Sequence, residues 1–186
     1  MAGELGLQAT HTIAQTMQAQ LDPSLGWDDI AWVRERWPGK LIVKGLLDPA
    51  QGRRAQQLGV DAIVISNHGG RQLDGAVAPI EILPEFASET GGRLPLLLDS
   101  GVRTGSDIAR ALALGATAVQ IGRPTLYAVA SGGEPAVSRA LALLKEEFEV
   151  CQCLMGAGSV ASIGAHMVRG AASAAPQKAV SYTHLR

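Results

Sequence analysis

Apolar and polar positions alternate along this chain on two different length scales. Four short, mainly apolar runs, Leu41–Lys44, Ala62–Ser66, Leu96–Ser100 and Ala118–Gly122, have the length and β-branching of buried parallel strands. Around and between them, Trp27–Arg36, Pro49–Leu58, Pro79–Ser88 and Gly105–Leu114 show helical spacing. Strand alternating with helix predicts an α/β fold with parallel strands joined by crossovers. The units are regular, since Lys44 to Ser66 and Ser100 to Gly122 are each steps of 22 residues. They also look alike: Leu58-Gly59-Val60-Asp61-Ala62 matches Leu114-Gly115-Ala116-Thr117-Ala118, with Ile65 and Ile121 in register. In both, a glycine ends a helix in the left-handed conformation and a strand begins almost at once. Repeated βα units favour a barrel over an open doubly wound sheet.

Beyond the fourth strand, Pro135–Met155 predicts a long amphipathic helix with Leu141, Leu144, Phe148 and Cys151 on one stripe. Gly132-Gly133 separates it from a short preceding helix. From Gly170 onward no period survives, and this tail is expected to be disordered. Residues 1–20 carry weak periodicity and many Gln and Ala. Trp27, Trp32 and Trp37 recur at five-residue spacing and are expected to cover an outer wall rather than stack on a ligand.

Composition narrows the function classes. A hydrophobic fraction of 47% with 18% charged residues describes a globular chain. The net charge of −1 offers no basic field for nucleic acid or anionic lipid. No apolar run approaches the roughly 20 residues of a membrane span. Cys151 and Cys153 stand two apart on a helix and point different ways, which suits reduced thiols rather than a disulfide or zinc site. The expected compartment is cytoplasmic.

Candidate chemistry gathers behind the strands. Ser66-Asn67-His68-Gly69-Gly70-Arg71-Gln72-Leu73-Asp74-Gly75 follows the second strand directly. His exchanges protons near neutral pH, and Arg grips a carboxylate through a planar fork. Together His68 and Arg71 offer a base and an anion clamp, which suits proton removal from a small acid. A His in a glycine-rich loop is also what an ordinary surface turn contains. Lys44 ends an apolar run, where a cation either reaches solvent or stabilises negative charge developing on a cofactor. Asp99-Ser100-Gly101-Val102-Arg103 and Gly122-Arg123-Pro124 form consecutive turns with arginines and bare backbone, a pattern that barrel enzymes use for phosphate.

The ten-residue string resembles the active-site signature of the FMN-dependent 2-hydroxy acid dehydrogenases and oxidases, and the likeness runs from about Leu21 to about Ile163. Related FMN and nucleotide barrels, such as type 2 isopentenyl diphosphate isomerase and inosine monophosphate dehydrogenase, share the Asp-x-Gly and Gly-Arg turns but lack the His68–Arg71 string. The resemblance implies the C-terminal half, about four βα units, of a TIM (β/α)8 barrel over residues 21–169. Residues 1–20 then fall in a variable loop, and a first half barrel is expected upstream of Met1. Val180–Arg186 departs from the family and resembles translated sequencing adapter.

By the same resemblance, FMN is the cofactor. Lys44 lies at the flavin N1–O2 edge, Ser66 hydrogen-bonds the ring, and Asp99, Gly101, Arg103, Gly122 and Arg123 bind the ribityl chain and phosphate. His68 is the base and Arg71 the carboxylate ligand for a small (S)-2-hydroxy acid resembling lactate, mandelate or glycolate. Asp74 braces Arg71 or its own loop. A second arginine, a tyrosine and the aspartate partner of His68 come, in the family, from the first half barrel. The electron acceptor is oxygen, a quinone or a cytochrome. The full-length enzyme is expected to be a homo-oligomer, membrane-associated in some relatives through the variable loop. The rival expectation is a truncated half barrel that binds FMN weakly or not at all and does no chemistry.

Overall fold

The computed structural model describes residues 22–169 and the isolated Gln15. The expectations for the tail beyond Arg169, and for residues 1–20 apart from Gln15, lie outside the described residues. The chain divides into two compact units, Met1–Pro38 and Gly39–Arg186. Within the first, helix α1 spans Trp27–Arg36, with Asp28 and Asp29 in its first turn and Arg34 and Arg36 in its last, complementing the helix dipole at both ends. The Asp29 carboxylate accepts from the Gly26 N–H at 2.7 Å. Trp32 and Trp37 are more than half exposed, and the Arg36 guanidinium lies over the Trp32 ring at 4.3 Å from its centroid.

The second unit runs β1 (Ile42–Leu46), α2 (Ala50–Gln57), β2 (Ala62–Ile65), a 3-10 turn (His68–Gly70), α3 (Pro79–Thr90), β3 (Leu96–Leu98), α4 (Gly105–Ala113), β4 (Ala118–Val119) and α5 (Arg123–Leu154). All four strands are parallel, in the order β1-β2-β3-β4. Strand order that follows chain order, with a helix in each connection, is barrel topology; a doubly wound sheet would reverse direction at a switch point. Each strand lies within its expected run except β1, which continues past Lys44 to Leu46 with a register shift between Lys44 and Leu46. Gly45 at that bulge has φ +97°, a conformation open to glycine and strained for other residues.

The sequence repeat has a structural job. Asp61 donates its N–H to the Leu41 carbonyl at 2.8 Å and accepts the Leu41 N–H at 2.9 Å. Thr117 does the same for Leu96, at 2.7 and 3.3 Å. The residue before each of these strands thus pairs the start of the preceding one. Gly59 (φ +72°) and Gly115 (φ +111°) make the left-handed turns that bring it there. The core centres on Ile63, Ile65, Leu83, Phe86 and Leu98, all 1% exposed or less. Truncating Phe86 to Ala would cost about 3–5 kcal/mol by loss of burial and the cavity left behind.

Span α5 is two helices meeting at a kink, where the sequence separates them: Gly132 (φ −175°, ψ 24°) and Gly133 (φ 62°, ψ −145°) leave the helical dihedrals. Its apolar stripe is less covered than expected. Leu144 is buried and Phe148 and Cys151 partly so, whereas Leu141 remains 47% exposed. Cys151 and Cys153 are free thiols. No described helix is long and apolar enough to cross a membrane.

Candidate active site

Parallel strands deliver their last residues to one end of the sheet, and the candidate residues meet there. Lys44 on β1 donates from Nζ to Ser66 Oγ at 3.1 Å and pairs with the Asp99 carboxylate. Lys44 lies at the bulge near the end of β1, and Ser66 and Asp99 directly follow the neighbouring β2 and β3. The Lys44 side chain stays 43% exposed against 17% for Asp99, so the ammonium keeps a face to solvent beyond its pair. Burial pushes the Asp99 carboxyl up, but hydrogen bonds from Lys44, Ser100 and Ser66 together with the Lys44 charge outweigh it and hold Asp99 below its ordinary value. Asp99 is therefore an anion that fixes Lys44 in place.

Ser66 is fully buried, and its Oγ also accepts the His68 N–H at 3.0 Å. His68 itself has φ +58°, an uncommon backbone for a side-chain-bearing residue, and heads a run with Gly69 (+71°) and Gly70 (+72°). Asn67 holds the far side of this turn, accepting the Gly70 N–H on Oδ1 at 3.1 Å and donating from Nδ2 to the Val77 carbonyl at 3.2 Å. The exposed imidazole lies over Gly45: a Cβ there would come within 3.1 Å of His68 Cε1. Thus the β1 bulge leaves bare backbone beneath the ring, close behind Lys44.

Arg71 is exposed and has no hydrogen-bond or ion-pair partner among the described residues, so its fork is open to a carboxylate. Asp74 accepts the N–H of Gly75 at 3.1 Å, a contact within its own loop. Arg123 opens α5 with Gly122 at its N-cap and donates from Nη2 to the Gly69 carbonyl at 3.2 Å. Arg103 is exposed, and its backbone N–H is held by Asp107 at 3.0 Å. Asp107 and Thr104 cap α4 reciprocally. Burial raises the Asp107 carboxyl, but the Arg103 and Thr104 N–H groups, the Thr104 hydroxyl and the Arg110 charge win and lower it. No hydrogen bond joins Arg103 to Arg123; they stand on consecutive turns. Nothing lies within 4 Å of where a Cβ of Gly101 or Gly122 would sit. Open backbone, a helix N-terminus and two arginines without carboxylate partners among the described residues suit a phosphate group, and Lys44 suits an anionic ring edge, so the residues present fit FMN.

Sequence reasoning missed Gly45, Asn67, Ser100 and Glu147. An isolated glycine within an apolar run is a bulge signal that could have found Gly45. Glu147 lies on α5, and its Oε2 accepts the Gly105 N–H at the start of α4 at 2.8 Å, a contact with no sequence signature. His166 is exposed and outside the site. No cluster of metal-ligating side chains occurs among the described residues.

Fold and site together define a barrel-type α/β protein with a cation-rich site at the strand ends. Its sequence matches the FMN-dependent dehydrogenase family over residues 2–170. It is 48% identical to an L-lactate dehydrogenase of Xanthomonas campestris pv. campestris over 147 residues, 79% of this chain and 38% of that one. The crystal structure of the monotopic membrane protein (S)-mandelate dehydrogenase superposes with a TM-score of 0.79 at 43% identity, covering 84% of this chain and 42% of that one. A mutant flavocytochrome b2 with pyruvate bound gives 0.74 at 38% identity, covering 77% and 38%. The chain belongs to the FMN-dependent dehydrogenase family, whose members are FMN enzymes acting on 2-hydroxy acids. It spans about two fifths of the length of the relatives it matches.

Proposed function

We propose that this chain carries the base, the carboxylate clamp and the phosphate site of an FMN-dependent oxidation of a small (S)-2-hydroxy acid, of the lactate, mandelate or glycolate type, to its 2-oxo acid. One observation carries the reading: His68 stands over bare backbone at Gly45, which adjoins the anchored Lys44, and Arg71, three residues on, has no partner among the described residues.

Arg71 binds the substrate carboxylate with two parallel N–H donors and so orients the α-carbon. His68 takes one proton from the substrate. Bound FMN supplies the acceptor for the remaining hydrogen and both electrons, so that loss of two hydrogens converts the alcohol carbon to a carbonyl. Lys44 would lie at the N1–O2 edge of the ring, and its positive charge, fixed by Asp99, favours added negative charge there. Asp99, Gly101, Arg103, Gly122 and Arg123 would hold the ribityl chain and phosphate, and Ser66 would hydrogen-bond the ring. Residues 21–169 would work as the C-terminal half of the enzyme domain, with oxygen, a quinone or a cytochrome as electron acceptor.

The test is a chimera in which residues 22–169 replace the matching stretch of the Xanthomonas campestris L-lactate dehydrogenase. The chimera should bind FMN and be bleached by L-lactate without oxygen. His68→Gln should leave the flavin bound and slow bleaching by a factor of about 10²–10⁴; bleaching at the parent rate would remove His68 as base. A second reading is that the chain by itself is a half barrel without turnover. It is favoured by the four-stranded sheet, whose edges β1 and β4 have no further strand among the described residues.

A further inference from the structure

We propose that Ser100 is a positioning residue that fixes the base-bearing loop through its hydroxyl. This rests on the reading of His68 as the base. Ser100 Oγ donates to Asp99 Oδ1 at 2.6 Å and accepts the Gly69 N–H at 3.0 Å. A serine hydroxyl has one proton to give, and an ionised carboxylate can only accept. Asp99, paired with Lys44, therefore sets the direction of the bond and turns the serine lone pairs toward Gly69. The result is a continuous run from the Lys44 ammonium through Asp99 and Ser100 to the peptide that follows His68. Arg123 holds the carbonyl of the same Gly69 from the opposite side of the residue.

Two backbone conformations make the assignment more than a count of hydrogen bonds. Ser100 has φ +71°, where glycine is the unstrained choice, and in exchange for the strain serine contributes only its hydroxyl. His68, at φ +58°, persists only if its surroundings over-determine the loop. Ser66 holds the N–H before the ring, and Ser100 the N–H after it. These hydroxyls come from the ends of neighbouring strands and so transmit strand geometry to the imidazole.

The test compares Ser100→Gly and Ser100→Ala in the full 186-residue chain by amide hydrogen exchange and thermal unfolding. Both variants should accelerate exchange at the Gly69 amide by roughly three- to tenfold, while the Gly70 amide, held by Asn67, stays unchanged. Ser100→Gly should melt no lower than the parent and up to about 4 °C higher, whereas Ser100→Ala should melt lower. In the lactate dehydrogenase chimera, Ser100→Gly should lower kcat by about tenfold or more despite that stability, a split that a purely structural role would not give. Unchanged Gly69 exchange in either variant, or unchanged kcat in the chimera, overturns the proposal. His68→Gln in the same chimera separates the two claims. If it leaves turnover intact the base assignment fails, and amide exchange alone then judges whether Ser100 holds the loop.

Discussion

Replacing Gly105 by Ala tests how the turn proposed for phosphate is held. Gly105 begins α4, and a Cβ there would fall on the backbone of Glu147 and Phe148 in α5. Three effects compete. Alanine is the better helix former by up to about 1 kcal/mol. Against that, overpacking costs about 1–3 kcal/mol or more, at the upper end here because backbone cannot rotate away. Forcing the helices apart also weakens the 2.8 Å bond from Gly105 N–H to the Glu147 carboxylate; a charged hydrogen bond is worth roughly 1.5 kcal/mol at the low end suited to an exposed residue. The sum is a net loss of about 2–4 kcal/mol, which lowers the melting midpoint by roughly 5–15 °C at this chain length. Circular dichroism melts and urea titrations read it directly. Glu147→Ala, which removes the acceptor without a clash, should cost about 1–2 kcal/mol. The double variant should fall short of the sum, since both changes act on one contact. A Gly105→Ala midpoint within about 2 °C of the parent would refute the reasoning.

Arg71→Lys in the chimera should lower kcat/KM for L-lactate by about ten- to a hundredfold with FMN still bound, because an ammonium cannot make a forked contact; changes within about twofold, ~0.4 kcal/mol, would end the clamp role. Asp99 and Asp107 are both held below the ordinary carboxylate value in the folded chain, so their stabilisation is present above that ordinary value and lost as pH falls through the folded-state values. Asp107→Asn should accordingly flatten the acid side of a plot of urea midpoint against pH, and an unaltered slope would show that the capping contacts do not set it. Expressed by itself, the chain should elute larger than a monomer and fail to reduce FMN with lactate or mandelate, because β1 and β4 are open edges among the described residues and such edges invite self-association. A yellow monomer bleached by a 2-hydroxy acid would make it a minimal enzyme.

The sequence alone determined the alternation of strand and helix, the repeated βα unit and the placement of His68, Arg71, Asp99, Arg103 and Arg123 after strands, with Lys44 in the C-terminal part of the first. These are local matters: periodicity marks the elements, and a parallel strand can only end at the end where its neighbours end. Tertiary structure decided what those residues hold. Lys44 bonds Asp99 across 55 residues, Arg123 reaches Gly69 across 54, Glu147 meets Gly105 across 42 and Ser100 meets Gly69 across 31. No periodicity encodes such pairs, because they depend on strand register, on the bulge that bares Gly45 under the imidazole, and on the left-handed turns at His68 and Ser100. The covering of α5 was likewise settled by packing: its stripe was legible, but Leu141 stays half exposed because burial depends on which neighbours the fold brings to the helix.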